Sequence, residues 1–266
     1  MPLAVCATPI GNLDDVTLRV LEELRSADAV LCEDTRHTRV LLDRHGISAR
    51  LLSYHEHNEA KRTSELLPRL EAGERIALVT DAGMPGISDP GARLVAAALE
   101  AGVPVTVLPG ASAVDTALVA SGFAADRYQF VGFLPRTAGA LRLLWKELAD
   151  WPYPVVAFES PKRLAATLRS LADADGKRPV AVCRELTKRF EEVVRGTAEE
   201  VAERFRTPPK GEITLVLGSR VASVDSGPAV EAVAELVGAG VPRRQAADVV
   251  ARLTGAARNE LYRRTL

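Results

Sequence analysis

The sequence predicts an α/β protein: an open, largely parallel sheet in a first α/β domain, a second α/β domain of different pattern, then a small helical extension. Short apolar runs alternate with amphipathic segments from the first residues onward. Runs such as Ile76-Ala77-Leu78-Val79 are apolar on both faces, as strands of a covered parallel sheet must be. The alternation breaks at "SGFAADRY" (121 to 128) and again at "SVDSGPAV" (223 to 230), after which only helical patterns remain. The expected domains are 1–120, 124–220 and 226–266.

In the first domain, strands are expected at 3–8, 29–34, 50–54, 75–81 and 104–110, with helices around 16–26, 36–45, 58–72, 90–101 and 111–120. Right-handed βαβ crossovers then give an open α/β sheet. In the second, strands at 128–133, 154–160, 178–185, 191–196 and 211–218 are interleaved with basic amphipathic helices, and Thr197 is placed to cap one of them. The tail reads as three short helices with turns at "GAGVPRR" and "LTGAARNE". That spacing suits a helix-turn-helix and equally any small helical cap.

Composition narrows the class. The chain has 266 residues, 47% hydrophobic and 26% charged, ordinary values for a globular protein with ample core. No apolar run approaches the roughly 20 residues that span a bilayer. The start "MPLAVCATPIG" lacks a basic leader and a cleavage site, so no signal peptide and no membrane partner are expected. Cys6, Cys32 and Cys183 are odd in number and widely spaced, which reads as reduced thiols in a cytoplasm, not a disulfide frame or metal site. A net charge of −1 excludes a globally basic nucleic-acid binder and leaves room for a local basic face.

The stretch "LVTDAGMPGISDPGARLV" (78 to 95) is longer and stiffer than a turn requires. It lacks the Lys of a Walker loop and the G-x-G-x-x-G of a dinucleotide site. Exposed amides in such a loop attract a carboxylate, whereas strand-end carbonyls and Asp81 attract an ammonium or sulfonium. The loop "LPGASAVD" (108 to 115) offers Gly110 and Ser112 at a second helix start. Both lie at carboxyl ends of strands, where open α/β sheets bind ligands, and an amino-acid-like moiety with a purine, such as S-adenosylmethionine, suits the crevice.

"TPIGNLDD" (8 to 15), "CEDTRHT" (32 to 38), "TDAGMPGISDPG" (80 to 91), "LPGASA" (108 to 113), "FESPKR" (158 to 163), "CRELTK" (183 to 188) and "GEITLVL" (211 to 217) stand in the order and spacing of one family. From residue 3 to about 218 the chain resembles the bacterial enzymes that 2′-O-methylate a cytidine of small-subunit ribosomal RNA, within the tetrapyrrole methylase superfamily. The tail is similar to their carboxyl-terminal extension. The resemblance implies a mixed sheet in the second of two α/β domains, S-adenosylmethionine in the cleft between them, a homodimer, and 16S rRNA, within the 30S subunit, as substrate. It implies that Pro9 and Ile10 border the methionine part, that Ala82, Gly83, Met84 and Ile87 line the cofactor, beside the Asp81 already singled out, and that Ser112 and Ala113 contact it. Phe158, Arg184 and Ile213 match positions near the adenosine. Met84 and Gly86 depart from the Thr and Leu more usual in the family.

Methyl transfer to a ribose hydroxyl is an in-line displacement, and some group must take the hydroxyl proton. Glu33, Asp34, Arg36 and His37, then Glu159, then Glu185 and Lys188 all follow strands and are candidates; Glu185 and Lys188 are chosen for substrate positioning or proton removal. Arg36, His37, Lys162, Arg163 and Arg189 near the cleft, and Arg243 and Arg244 in the tail, are expected to meet RNA. An internal ion pair for Glu33, Asp34 and Arg36, and a dimer-supporting or solvated role for the tail, remain open beside these. His55 and His57 in "YHEH" read as solvated loop, since no further Cys or His ligand is evident nearby. Two other functions stay in play: a methylase acting on a tetrapyrrole, and a noncatalytic ribosome-binding module with a vestigial cofactor cleft.

Overall fold

In the computed structural model, which describes residues 2–219, 226–254, 256 and 258–265, the backbone divides into two compact units, Met1–Arg220 and Val221–Leu266. The first unit opens on strands β1 (Leu3–Cys6), β2 (Ala29–Cys32), β3 (Leu51–Ser53), β4 (Ile76–Leu78) and β5 (Val105–Leu108). They form one parallel sheet in the order β3-β2-β4-β1-β5. Between them run α1 (Leu18–Ser26), α2 (Thr35–Arg44), α3 (Glu59–Glu71) and α4 (Ala92–Glu100), and α5 (Ala113–Ser121) follows β5. Every residue of β1, β2 and β4 is buried, and alternate side chains feed two cores. Ala4, Cys6, Val30 and Cys32 pack with Val20 and Leu24 of α1; Leu3, Val5 and Leu31 pack with Leu66 of α3 and Leu94 of α4. The expected strand 75–81 ends early because Thr80 and Asp81 leave the sheet for the glycine-rich loop.

The second sheet is mixed. Strands β6 (Gln129–Phe133), β7 (Val155–Glu159), β8 (Pro179–Arg184), β9 (Glu192–Thr197) and β10 (Ile213–Leu217) lie in the order β6-β7-β10-β8-β9. Only β6 and β7 are parallel. One face is covered by α6 (Ala138–Glu147), α7 (Pro161–Asp175) and α8 (Ala198–Arg204), with Val155, Ala157, Val180, Val182 and Leu215 inward. The opposite face, Val156, Ala181, Cys183 and Val216, packs against Ala117 and Leu118 of α5. Helix α5 therefore follows a strand of the first sheet and is buried in one core with the second, which joins the two halves. Thr197 caps α8 in a capping box with Glu200. All three cysteines are buried and free.

The unit Val221–Leu266 holds α9 (Ser226–Gly238), α10 (Arg243–Thr254) and α11 (Arg258–Arg264) around Ala229, Val233, Ala246, Val250 and Leu261. Of the linker expected from 223, residues 223 to 225 lie outside the described residues, and 226 onward is already helical. In the turn expected at 253–260, residues 255 and 257 also lie outside them. Among the described residues no helix is long and apolar enough to cross a membrane.

Candidate functional site

The glycine-rich loop is held by backbone bonds. Thr8 and Gly83 exchange amide bonds at 2.9 and 3.1 Å, and the Thr8 hydroxyl donates to the Thr80 carbonyl at 2.9 Å, tying the loop after β4 to the loop after β1. Gly83 has φ 81°, which a β-carbon would strain. Ser88 takes φ 62° without being glycine, a conformation that needs support from its surroundings. Ser112 caps α5, its hydroxyl oxygen accepting the Asp115 amide at 3.2 Å, and the start of that helix, Ser112 to Val114, lines the cleft.

The resulting cleft has a volume of about 460 Å³. Ten residues expected at the cofactor, Ile10, Asp81, Ala82, Gly83, Met84, Ile87, Ser112, Ala113, Phe158 and Ile213, line it together. Pro9 and Arg184 do not. Pro9 is buried, and Arg184 donates to Glu192 at 3.0 Å and to the Lys210 carbonyl at 3.1 Å. Its neighbour Cys183 lines the cleft instead, as alternation along a strand requires.

Among the described residues, no Lys, Arg or His lines the cleft, whereas Asp81, Asp89, Glu159 and Glu212 do. Asp89 was not among the sequence candidates; between Ser88 and Pro90 it reads as a turn residue. Burial, and next the charge of Glu33, pushes its carboxyl up to about 6. Glu33 itself is raised by burial and by Asp81. Asp81 accepts the Asp34 amide at 3.1 Å. Glu159 is occupied: buried at the end of β7, it accepts the Ser160 amide and the Thr167 hydroxyl and pairs with Arg163.

Behind the second-half wall stands a tight turn in which Glu185 and Thr187 take φ 51° and 63°. Lys188 Nζ donates to Glu185 Oε1 at 3.0 Å and to Glu212 Oε2 at 2.8 Å, and the Glu212 amide donates to Glu185 at 3.0 Å. Burial works against the charge on Lys188, but the bonds to Glu212 and Glu185 outweigh it and hold the ammonium above its ordinary range. For Glu185 burial is likewise outweighed, by the Glu212 amide and Lys188, so its carboxyl stays low and ionised. Neither side chain lines the cleft; Glu212, which shares Lys188, does.

The basic candidates separate. Arg36 pairs with Asp34 at 2.7 Å on exposed α2, beside exposed His37. Lys162 is exposed at the start of α7, while Arg163 is drawn inward to Glu159 and the Leu134 and Pro135 carbonyls. Arg189 lies over the Phe190 ring at 5.6 Å, beside a groove lined by Asn12, Arg44 and Lys188. Arg243 and Arg244 begin α10 in the other unit. His55 and His57 line a shallow depression with Glu33, Asp34 and Asp81, and among the described residues no group of three or more His, Cys, Asp or Glu is placed to hold a metal ion.

A family model for tetrapyrrole (corrin/porphyrin) methylases matches residues 2–202, and one described as the RsmI C-terminal HTH domain matches residues 224–266. A ribosomal RNA small subunit methyltransferase I of Mesorhizobium japonicum is 44% identical over 99% of this chain and 91% of its own. One from Synechocystis is 42% identical over 99% and 97%. Among solved structures, a cobalt precorrin-4 methyltransferase of cobalamin biosynthesis superposes with a TM-score of 0.61 at 22% identity, over 81% of this chain and 94% of that one. A Thermus thermophilus uroporphyrin-III C-methyltransferase in complex with S-adenosyl homocysteine gives 0.57 at 23%, over 81% and 96%. These two show the fold.

Proposed function

From the premise that the chain belongs to the tetrapyrrole methylase family, we propose that it transfers a methyl group from S-adenosylmethionine to the 2′-hydroxyl of a cytidine in 16S ribosomal RNA. The observation that carries the cofactor is the charge of the cleft: four carboxylates, with that of Asp89 raised by burial, a helix start, apolar walls and, among the described residues, no basic lining residue. That donor set repels a pyrophosphate and suits a cationic, zwitterionic ligand, and the volume lies in the usual range of small-molecule sites. Asp81 and Asp89 would hold the ammonium, the Ala113 and Val114 amides the carboxylate, and Ile10, Met84, Phe158 and Ile213 the apolar surfaces.

When bound, S-adenosylmethionine supplies a methyl group activated by a positive sulfur. The chain's own part is positioning and proton handling. Lys188, kept protonated, orients the Glu185 and Glu212 carboxylates. Glu212 lines the cleft, which supports reading it as the member of this trio that meets the ribose hydroxyl and receives its proton. Exposed Lys162, Arg189, Arg36 and His37, with Arg243 and Arg244 of the helical unit, would contact phosphates.

The same reading gives a cytoplasmic homodimer acting on 30S subunits. Exposed Val107 on the edge strand β5 and Val119 on α5 support self-association. The test is label transfer from methyl-labelled S-adenosylmethionine to unmodified 30S subunits, with mass spectrometry locating a 2′-O-methylcytidine. Label entering a precorrin instead overturns the substrate; absence of measurable cofactor binding overturns the enzyme.

A further inference from the structure

The cleft carries at its lip an aromatic ring for which the cofactor reading has no use. Phe133 is 63% exposed, yet it lines the cleft and meets the Phe158 ring edge-on at 5.4 Å, which in turn meets Phe130 at 5.0 Å. Aromatics are only 5% of the chain. A row of three ending in the open is therefore a placed feature more than chance.

The backbone shows how it is placed. Phe130 pairs with Val156 and Phe133 with Phe158, so β6 spends three steps where β7 spends two. The extra residue is a bulge containing Gly132 at φ 67°. In an unbroken strand Phe133 would fall on the opposite face from Phe130, toward the core under α6 and α7. The bulge returns it to the cleft face. From the first half, Ile87 stands half-exposed on the same cleft, next to Ser88 with its left-handed backbone. Arg136, three residues beyond Phe133, and Lys162, next to cleft-lining Pro161, are both exposed.

We infer that Phe133 is the stacking platform for the base of the nucleotide being methylated, with Ile87 as the apolar wall facing the same slot. The inference rests on the RNA reading above. In-line attack brings the ribose hydroxyl in from the open side, opposite the sulfur. Chemistry on a nucleotide inside a cleft takes its base out of the RNA stack, and an unstacked base finds its compensation on an aromatic face. Arg136 and Lys162 meet the flanking phosphates. Stacking tolerates any base, so Phe133 sets how firmly the nucleotide is held and not which base is chosen.

The experiment compares Phe133→Ala, Phe133→Leu and Phe133→Trp in steady-state methylation of unmodified 30S subunits, with cofactor affinity by calorimetry, thermal melting and particle size alongside. Expected is a loss of roughly tenfold or more in kcat/KM for Ala and for Leu, near-wild-type rates for Trp, and cofactor affinity unchanged in all three. Should Ala not fold, the Leu–Trp pair carries the same comparison. Full activity of the Ala or Leu variant, weakened cofactor binding, or a change of oligomeric size on substitution would each overturn the stacking role. Wild-type protein that transfers nothing to 30S RNA sinks the RNA reading and this inference with it; wild-type transfer matched by Phe133→Ala sinks the inference alone.

Discussion

Gly11 lies so close to Lys188 that a β-carbon on it would stand 2.5 Å from Lys188 Cγ, and 2.7 Å from the Thr187 hydroxyl oxygen. The adjoining Asn12 amide donates to that hydroxyl at 3.0 Å. The first loop of one half thus seats the strained turn that carries Lys188 in the other. Gly11→Ala should cost about 1–3 kcal/mol by overpacking and should lower methyl transfer by displacing Lys188. Thermal unfolding with parallel kinetics checks this, and a variant matching wild type in both excludes the coupling.

Lys188→Met leaves the Glu185 and Glu212 carboxylates facing each other without their shared cation. Methyl transfer is expected to fall about 10²-fold or more, with S-adenosylmethionine affinity retained because Lys188 does not line the cleft. Lys188→Arg should recover part of the rate. Since the ammonium is held above its ordinary range, it stays charged throughout neutral pH, and no rate step near pH 7 should trace to it. A Met variant with wild-type kcat would remove Lys188 from the mechanism.

Much of this was legible one residue at a time. The doubly apolar run Ile76–Val79 announced a central strand, and Ser112 announced a helix start. The loops that line the cleft are legible because glycine density and strand ends are local signals. What escaped depends on partners far along the chain. Arg184 comes from the resemblance as a matched position, yet strand phase turns its neighbour Cys183 toward α5. Phe133 is re-aimed by a bulge whose register is set by β7, which its own strand does not reveal. Asp89 owes its elevated pKa partly to Glu33, on a different strand's loop.

Arg163 and Lys162, adjacent and alike in sequence, should separate in experiment. Arg163→Ala strips the buried Glu159 carboxylate of its countercharge. It is expected to destabilise the fold by about 3–5 kcal/mol. Lys162→Ala should leave the melting temperature unchanged, weaken 30S binding, and reduce the slope of log affinity against log salt by about 1. If Arg163→Ala melts like wild type and instead lowers the salt slope, its assignment passes from the fold to RNA.

Asp89 should make S-adenosylmethionine binding pH-dependent. Its carboxyl sits at about 6 in the free protein against 3.8 ordinarily. The folded protein thus holds this proton more tightly than the unfolded chain. Its contribution to stability is therefore full below about pH 4 and is lost as pH rises through 6. A cationic ligand acts oppositely, since it favours the ionised carboxylate. Binding S-adenosylmethionine below pH 6 must expel the proton, so affinity should fall by up to about tenfold per pH unit there and level off above. Asp89→Asn should bind more weakly at pH 7.5 and lose most of the slope, because its amide carries no charge at either end of the range. Calorimetry from pH 5 to 8 on both proteins decides it: a flat wild-type profile, or an Asn variant that keeps the full slope, would show that the ammonium is held elsewhere.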